Sequence, residues 1–132
     1  MYIEGNSSID MVRTVFQNNF ARRKGGAIFA NGFNLLRTTG QSKFLNNLAN
    51  EDGDDIYISN TEGYFVLDNT QIENPKAVSS IAAENVNVSL SNVFMKNIGV
   101  QPHRALTEGS GLSCYNCRAI LIDKCQFTNL NS

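Results

Sequence analysis

Apolar residues recur along this chain in short clusters and never in a helical rhythm. Phe16-Gln17-Asn18-Asn19-Phe20-Ala21 returns one period later as Phe44-Leu45-Asn46-Asn47-Leu48-Ala49. Each copy leads through a turn to an apolar triplet, Ala27-Ile28-Phe29 and then Ile56-Tyr57-Ile58. A fixed period of roughly 28 residues predicts stacked supersecondary units instead of one globular core. The clusters are short, rich in Val, Ile and Phe, and often alternate with polar residues, the period of a strand with one buried face. No window of about 11 residues sustains apolar spacing at three and four. The pattern predicts an all-β chain: a right-handed parallel β-helix with three short strands per coil, each coil adding a rung of about 4.8 Å.

Two sets of inward anchors set the expected register. The first is Ile3, Ile28, Ile56, Ile81 and Leu112; the second is Phe16, Phe44, Ile72, Phe94 and Phe127. Both give about five coils of roughly 28 residues across a single segment, 1–132. A third apolar segment lies between them, clearest at Val86-Asn87-Val88-Ser89-Leu90 and Ala119-Ile120-Leu121-Ile122, with Ile9-Asp10-Met11 and Phe65-Val66-Leu67 in register and Leu35-Leu36 the weakest copy. Val88 and Ile120 join the expected core, whereas Phe33 lies off the register.

Asparagine is the compositional outlier, with 18 of 132 residues. It tolerates left-handed backbone and bonds nearby peptide groups, so it belongs at turns. Two columns recur at matched offsets: Asn6, Asn31, Asn60, Asn85 and Asn116, and Asn18, Asn46, Asn74 and Asn129, with Lys96 breaking the second series beside Asn97. Stacked at corners, these side chains predict an asparagine ladder that satisfies turn backbone groups coil after coil.

With 11 basic and 12 acidic residues the net charge is -1, which gives no electrostatic case for nucleic acid or an anionic membrane. No apolar run approaches the roughly 20 residues a spanning helix needs, so membrane insertion by this segment is not expected. Met1-Tyr2-Ile3-Glu4-Gly5-Asn6 lacks the basic region and apolar stretch of a secretory leader, an expectation of either an intracellular protein or a piece of a longer chain.

Gly25-Gly26-Ala27-Ile28, together with Phe-x-x-Asn at Phe16/Asn19, Phe44/Asn47 and Phe94/Asn97, resembles the repeats of chlamydial polymorphic outer membrane proteins. More broadly, the chain is similar to the right-handed β-helix repeats of the pectin-lyase-like superfamily, its last coil, Cys117 to Asn129, matching that superfamily's usual strand-turn-strand unit. The Gly-Gly-Ala-Ile motif is intact once, decays to Gly53-Asp54-Asp55-Ile56 and Gly109-Ser110-Gly111-Leu112, and is absent before Ile81. The resemblance implies an extracellular or cell-surface, adhesin-like segment. The expected function is structural or adhesive within a larger surface or secreted protein, its partners being flanking coils of the same longer chain and a host-surface or glycan ligand. The alternative is a non-catalytic fragment of a carbohydrate-active lyase or hydrolase.

No catalytic, cofactor-binding or metal-ligating residue is assigned, no cofactor is expected, and the chain is read as not an enzyme. Glycan-cleaving β-helices need several carboxylates with a base or a metal. Here Asp68-Asn69-Thr70-Gln71 and a lone His103 match neither half of a polygalacturonase-like site. Asp52, Asp54 and Asp55, in the acidic turn Asn50-Glu51-Asp52-Gly53-Asp54-Asp55, read as solvated, with a weak calcium site as the alternative. Cys114, Cys117 and Cys125 leave three readings open: a Cys114–Cys117 bridge in an oxidising compartment, a zinc site with a distant His, or buried thiols, with Cys125 facing inward like Phe127. Arg22-Arg23-Lys24 is expected to pair with the acidic turn one coil above. Asn6-Ser7-Ser8 and Asn87-Val88-Ser89 read as glycosylation acceptors, the first in a turn, the second inside a strand.

Overall fold

The structure, a computed structural model, describes residues 1–59, 62–74, 79–96 and 111–128. Its first coil holds β1 (Tyr2–Glu4), β2 (Ser8–Val12), β3 (Val15–Gln17) and β4 (Phe20–Ala21), and the second β5 (Ile28–Asn31), β6 (Leu35–Thr39), β7 (Ser42–Leu45) and β8 (Leu48–Ala49). The third has β9 (Ile56–Ser59) and β10 (Tyr64–Glu73), the fourth β11 (Ile81–Glu84) and β12 (Asn87–Lys96), and the fifth β13 (Leu112–Tyr115), β14 (Ala119–Asp123) and β15 (Gln126–Thr128). Every pairing is parallel and between successive coils, so the chain is a β-solenoid. One sheet stacks β1-β5-β9-β11-β13; the rungs Tyr2, Phe29, Tyr57, Ala82 and Ser113 mark four turns, the shortest from Tyr57 to Ala82 and the longest from Ala82 to Ser113.

Alternation of side chains across a strand puts Ile28, Ala30, Ile56, Ile58, Ile81 and Ala83 inside, all essentially buried. The second sheet adds Leu36, Phe65, Val88 and Leu67, Leu90, and then Phe44, Ile72 and Met95. Phe16 and Phe44 stack with centroids 4.9 Å apart. Burial of such side chains contributes about 1.5 to 3 kcal/mol each, which makes these columns the main source of cohesion.

The expected register needs several corrections. Ile3 faces Ala30, not Ile28, because the first turn is longer at this sheet than the anchor pair implies. Phe94 is not an anchor: Met95 faces Ile72 and Phe127, while Phe94 faces Gln71 and is 37% exposed. The cause is left-handed Asn92, which breaks the alternation of β12 so that Val88 and Leu90 are followed inward by Val93 and Met95, just as Asn69 sets Thr70 and Ile72 after Phe65 and Leu67 in β10. Phe33, off the expected register, is only 2% exposed and belongs to the core. In the fifth coil Ile120 and Phe127 are exposed and Leu112 is half-buried, since no described coil packs on their outer side.

Asparagines serve the corners differently from the expected columns. Asn18, Asn46, Asn85 and Asn116 are left-handed, and their N–H groups or those of their corner partners bond across coils, as in Asn18 N–H to Leu45 O (3.0 Å) and Asn85 N–H to Tyr115 O (3.0 Å). In the first two coils Gly5 and Gly32 take the left-handed place, one residue from Asn6 and Asn31, and Asn60 and Asn129 lie outside the described residues. The amide-to-amide hydrogen bond occurs one position further along, Asn19 Nδ2 to Asn47 Oδ1 at 2.9 Å.

Candidate functional site

The outer face of the first sheet carries an open groove of about 520 Å³. Its floor follows from strand alternation: Tyr2, Phe29 and Tyr57 each neighbour an inward anchor and so point outward, and the parallel register places them one above another. The rings stack with centroids 5.4 Å apart at both steps. Parallel in-register pairing of like aromatic side chains is what keeps such a row straight. Phe20, 61% exposed, and Arg23, Lys24 and Gly25 form the wall.

Two residues beyond each ring on the same face stand Glu4, Asn31 and Ser59, and Glu84, paired with Ser59 in the next coil, continues this polar column. Tyr2 Oη donates to Glu4 at 3.0 Å, and Tyr57 Oη donates to Glu84 at 2.7 Å. Burial, then the Glu84 hydrogen bond, raises the Tyr57 phenol above its ordinary value; the Glu4 hydrogen bond raises that of Tyr2. Lys24 Nζ lies 4.5 Å from the Tyr57 ring centroid and 3.3 Å from its hydroxyl, a cation held on an aromatic ring. The expected pairing of the basic turn with the acidic turn is made by Arg23 with Glu51 at 3.1 Å. Lys24 and Asp52 are joined by a parallel backbone bridge. The groove thus offers aromatic surface and hydrogen-bonding groups, which suits contact with a ligand.

The sequence did not single out this groove. Its signal was an aromatic one residue after the anchors Ile28 and Ile56; the displaced register of the first coil hid Tyr2 as the third member.

The acidic turn is not solvated. Of its acidic side chains Asp54 and Asp55 are fully buried and Asp52 is partly exposed, and Glu51 alone is exposed. Asp54 accepts from the Ala49 N–H (2.9 Å) and the Ser79 N–H (3.3 Å), and Asp55 from Asn47 Nδ2 (2.9 Å) and the Ser80 hydroxyl. Parallel pairing draws them inward, because their columns continue into Ser79 and Ser80 of the next coil. Donors, not a cation, occupy these oxygens, the reverse of the polarity that calcium needs. Burial raises Asp55 from 3.8 to about 7, against the lowering effect of its Ser80, Asn47 and Asn74 hydrogen bonds. Among the described residues no group of three or more His, Cys, Asp or Glu is arranged to hold a metal ion.

Cys114 and Cys117 are joined as a disulfide around the left-handed Asn116, which removes both as thiolate ligands for zinc. Cys125 is free, half-buried, and packs against the core. His103 lies outside the described residues.

The Chlamydia polymorphic membrane protein repeat (Chlamydia_PMP) matches residues 13–31. That stretch runs from the bend before β3 to the end of β5 and contains Phe16, Asn19 and Gly25-Gly26-Ala27-Ile28. The glycines have a physical reason. Gly25 is left-handed at φ 70°, and a methyl group on Gly26 would sit 2.7 Å from both Leu48 N and O and closer still to Asp54 O. No curated protein and no solved structure matches the chain. The matched repeat and the solenoid together indicate a surface, adhesin-like segment. No helix of the described residues is long and apolar enough to cross a membrane.

Proposed function

We propose that this chain is a structural and adhesive segment of a larger cell-surface or secreted protein, stacked between flanking coils of the same polypeptide and presenting the first sheet's outer face to a host-surface molecule, a glycan included. The observation that carries the reading is the aromatic groove. Three stacked rings stand on one outer face, Tyr2 exposed, Phe29 half-buried and Tyr57 buried with Lys24 over its ring, and the exposed Phe20 lies beside them. Exposed aromatic surface of this kind is what binding interfaces use as anchors. Membership in the pectin-lyase-like superfamily and an extracellular address belong to the same proposal, as does the lack of catalysis.

The test is binding of the folded chain to host-cell surfaces and to immobilised glycans. Phe20→Ala and Tyr2→Ala, both at exposed positions, are expected to reduce capture at least tenfold with unchanged circular dichroism. Undiminished capture by the double variant, or turnover of a glycan by the wild type, defeats the reading.

A further inference from the structure

The two N-x-Ser sites differ sharply in what the fold does with them. Asn6 stands at the corner between β1 and β2, exposed, next to Gly5, around which a methyl group would meet no atom within 4 Å. The corner is anchored through backbone, Asn34 Nδ2 donating to the Asn6 carbonyl at 3.2 Å, while the Asn6 side-chain amide has no hydrogen-bond partner among the described residues. Ser8, the hydroxyl residue of the site, is also exposed. Asn87 is half-buried, and its Nδ2 donates to both Glu62 O and Gly63 O at 3.1 Å. A glycan on that nitrogen removes one of these donors and must pass the backbone of the coil below.

We propose that Asn6 is an N-linked glycan acceptor and that Asn87 is not. The step is transfer from a lipid diphosphate-linked oligosaccharide. A bond forms between Asn6 Nδ2 and the anomeric carbon, and the bond from that carbon to the phosphate oxygen breaks. The lipid diphosphate leaves with the electron pair, and the amide loses one proton to the transferase base. An exposed corner with a free amide admits this geometry; a strand amide with both N–H groups engaged does not. Glu4 stands two residues before Asn6, and Asn85 two before Asn87, so a transferase that also reads an acidic residue there selects the same site. The Cys114–Cys117 disulfide is independently consistent with passage through an oxidising secretory compartment. This inference goes beyond the adhesive reading and stands or falls separately, since it concerns a corner of the solenoid outside the aromatic groove.

The experiment is secretion of the chain behind a cleavable leader from a eukaryotic host, then enzymatic glycan release and peptide mass spectrometry, which marks the attachment residue by its conversion to Asp. In parallel, the purified folded chain is treated with an oligosaccharyltransferase and its lipid-linked donor. Expected is one glycan, at Asn6, lost in Asn6→Gln and in Ser8→Ala and kept in Asn87→Gln, with unchanged melting of Asn6→Gln. An unmodified Asn6 in both formats, or a glycan on Asn87 of the folded chain, overturns the proposal.

Discussion

Two successive copies of one turn, Gly25-Gly26-Ala27-Ile28 and Gly53-Asp54-Asp55-Ile56, share a backbone and differ in almost everything else. Both open on a left-handed glycine, at φ 70° and 62°. Both share one rung, Ala27 and Ile28 N–H to Asp55 O (2.9 and 3.0 Å) and then Asp55 and Ile56 N–H to Ser80 O (both 3.0 Å); one residue earlier they part, Gly26 N–H reaching Gly53 O (3.2 Å) and Asp54 N–H reaching Ser79 O (2.7 Å). The lower copy makes room by omitting side chains, so that the backbones of Leu48 and Asp54 close on Gly26. The upper copy fills the equivalent columns with two buried aspartates that tie β8, Asn47 and the next coil together. A repeat position is therefore defined by its hydrogen-bonded backbone, and either close packing or a satisfied polar side chain completes it.

The sharpest way to break that comparison is Gly26→Ala. The added methyl meets fixed backbone on two sides, so the chain is expected to lose at least about 3 kcal/mol or fail to fold cooperatively. Gly5→Ala is the control, left-handed at φ 87° but in open space, and should cost about 1 kcal/mol. Urea unfolding of the two variants measures the difference; equal midpoints would remove close approach as the reason for the motif.

Asp54→Ala comes next. It strands the Ala49 and Ser79 N–H groups in a dry interior, each such orphan costing about 1 to 3 kcal/mol, so a loss of about 3 kcal/mol is expected in the same assay. A change within about 0.5 kcal/mol, the range of an ordinary surface substitution, would show that water enters the turn and that the carboxylate does not tie the coils.

These two turns also show where the sequence was readable. Parallel stacking, the period and the column Ile28, Ile56, Ile81 and Leu112 were legible because each rung repeats an apolar residue at an inward position. Phe94 misled because an exposed aromatic stands beside the true anchor, Met95, and local composition carries no record of the bend at Asn92. The buried aspartates were illegible for a related reason. An Asp-rich turn looks solvated until the coil above supplies Ser79 and Ser80 as partners, contacts distant in sequence. The aromatic groove required the first coil's displaced register, which only the pairing of Ile3 with Ala30 reveals.

Asp55 distinguishes the copies by pH, since Ala27 has nothing to titrate. Its folded value, about 7, is raised above the ordinary 3.8, so between roughly pH 4 and 7 the folded state holds a proton that the unfolded state has released. Its contribution to stability is therefore full below about pH 4, falls as pH rises through that window by at most about 1.4 kcal/mol per pH unit, and is flat above. Unfolding midpoints measured across the window, in wild type and Asp55→Asn, should show this slope in the first and its loss in the second. An identical pH profile for both would mean that Asp55 is ionised throughout.

The smallest expected effect separates the two reasons for a left-handed residue. Asn46 has φ 54° and passes its N–H to Glu73 O at 3.1 Å, while its side chain faces an open, asparagine-lined groove. Only the dihedral constrains it, so Asn46→Gly should change stability by a few tenths of a kcal/mol and Asn46→Ala should lose about 1 kcal/mol. Gly53 has the same hand, yet a methyl group there would lie 2.9 Å from the Tyr57 Cβ and 2.5 Å from Ile56 O. Gly53→Asn should accordingly lose more than Asn46→Ala, although asparagine tolerates the dihedral. Thermal melts of the three variants order them; a Gly53→Asn chain as stable as Asn46→Gly would show that the turn relaxes around a side chain, and that the glycine is there for its dihedral alone.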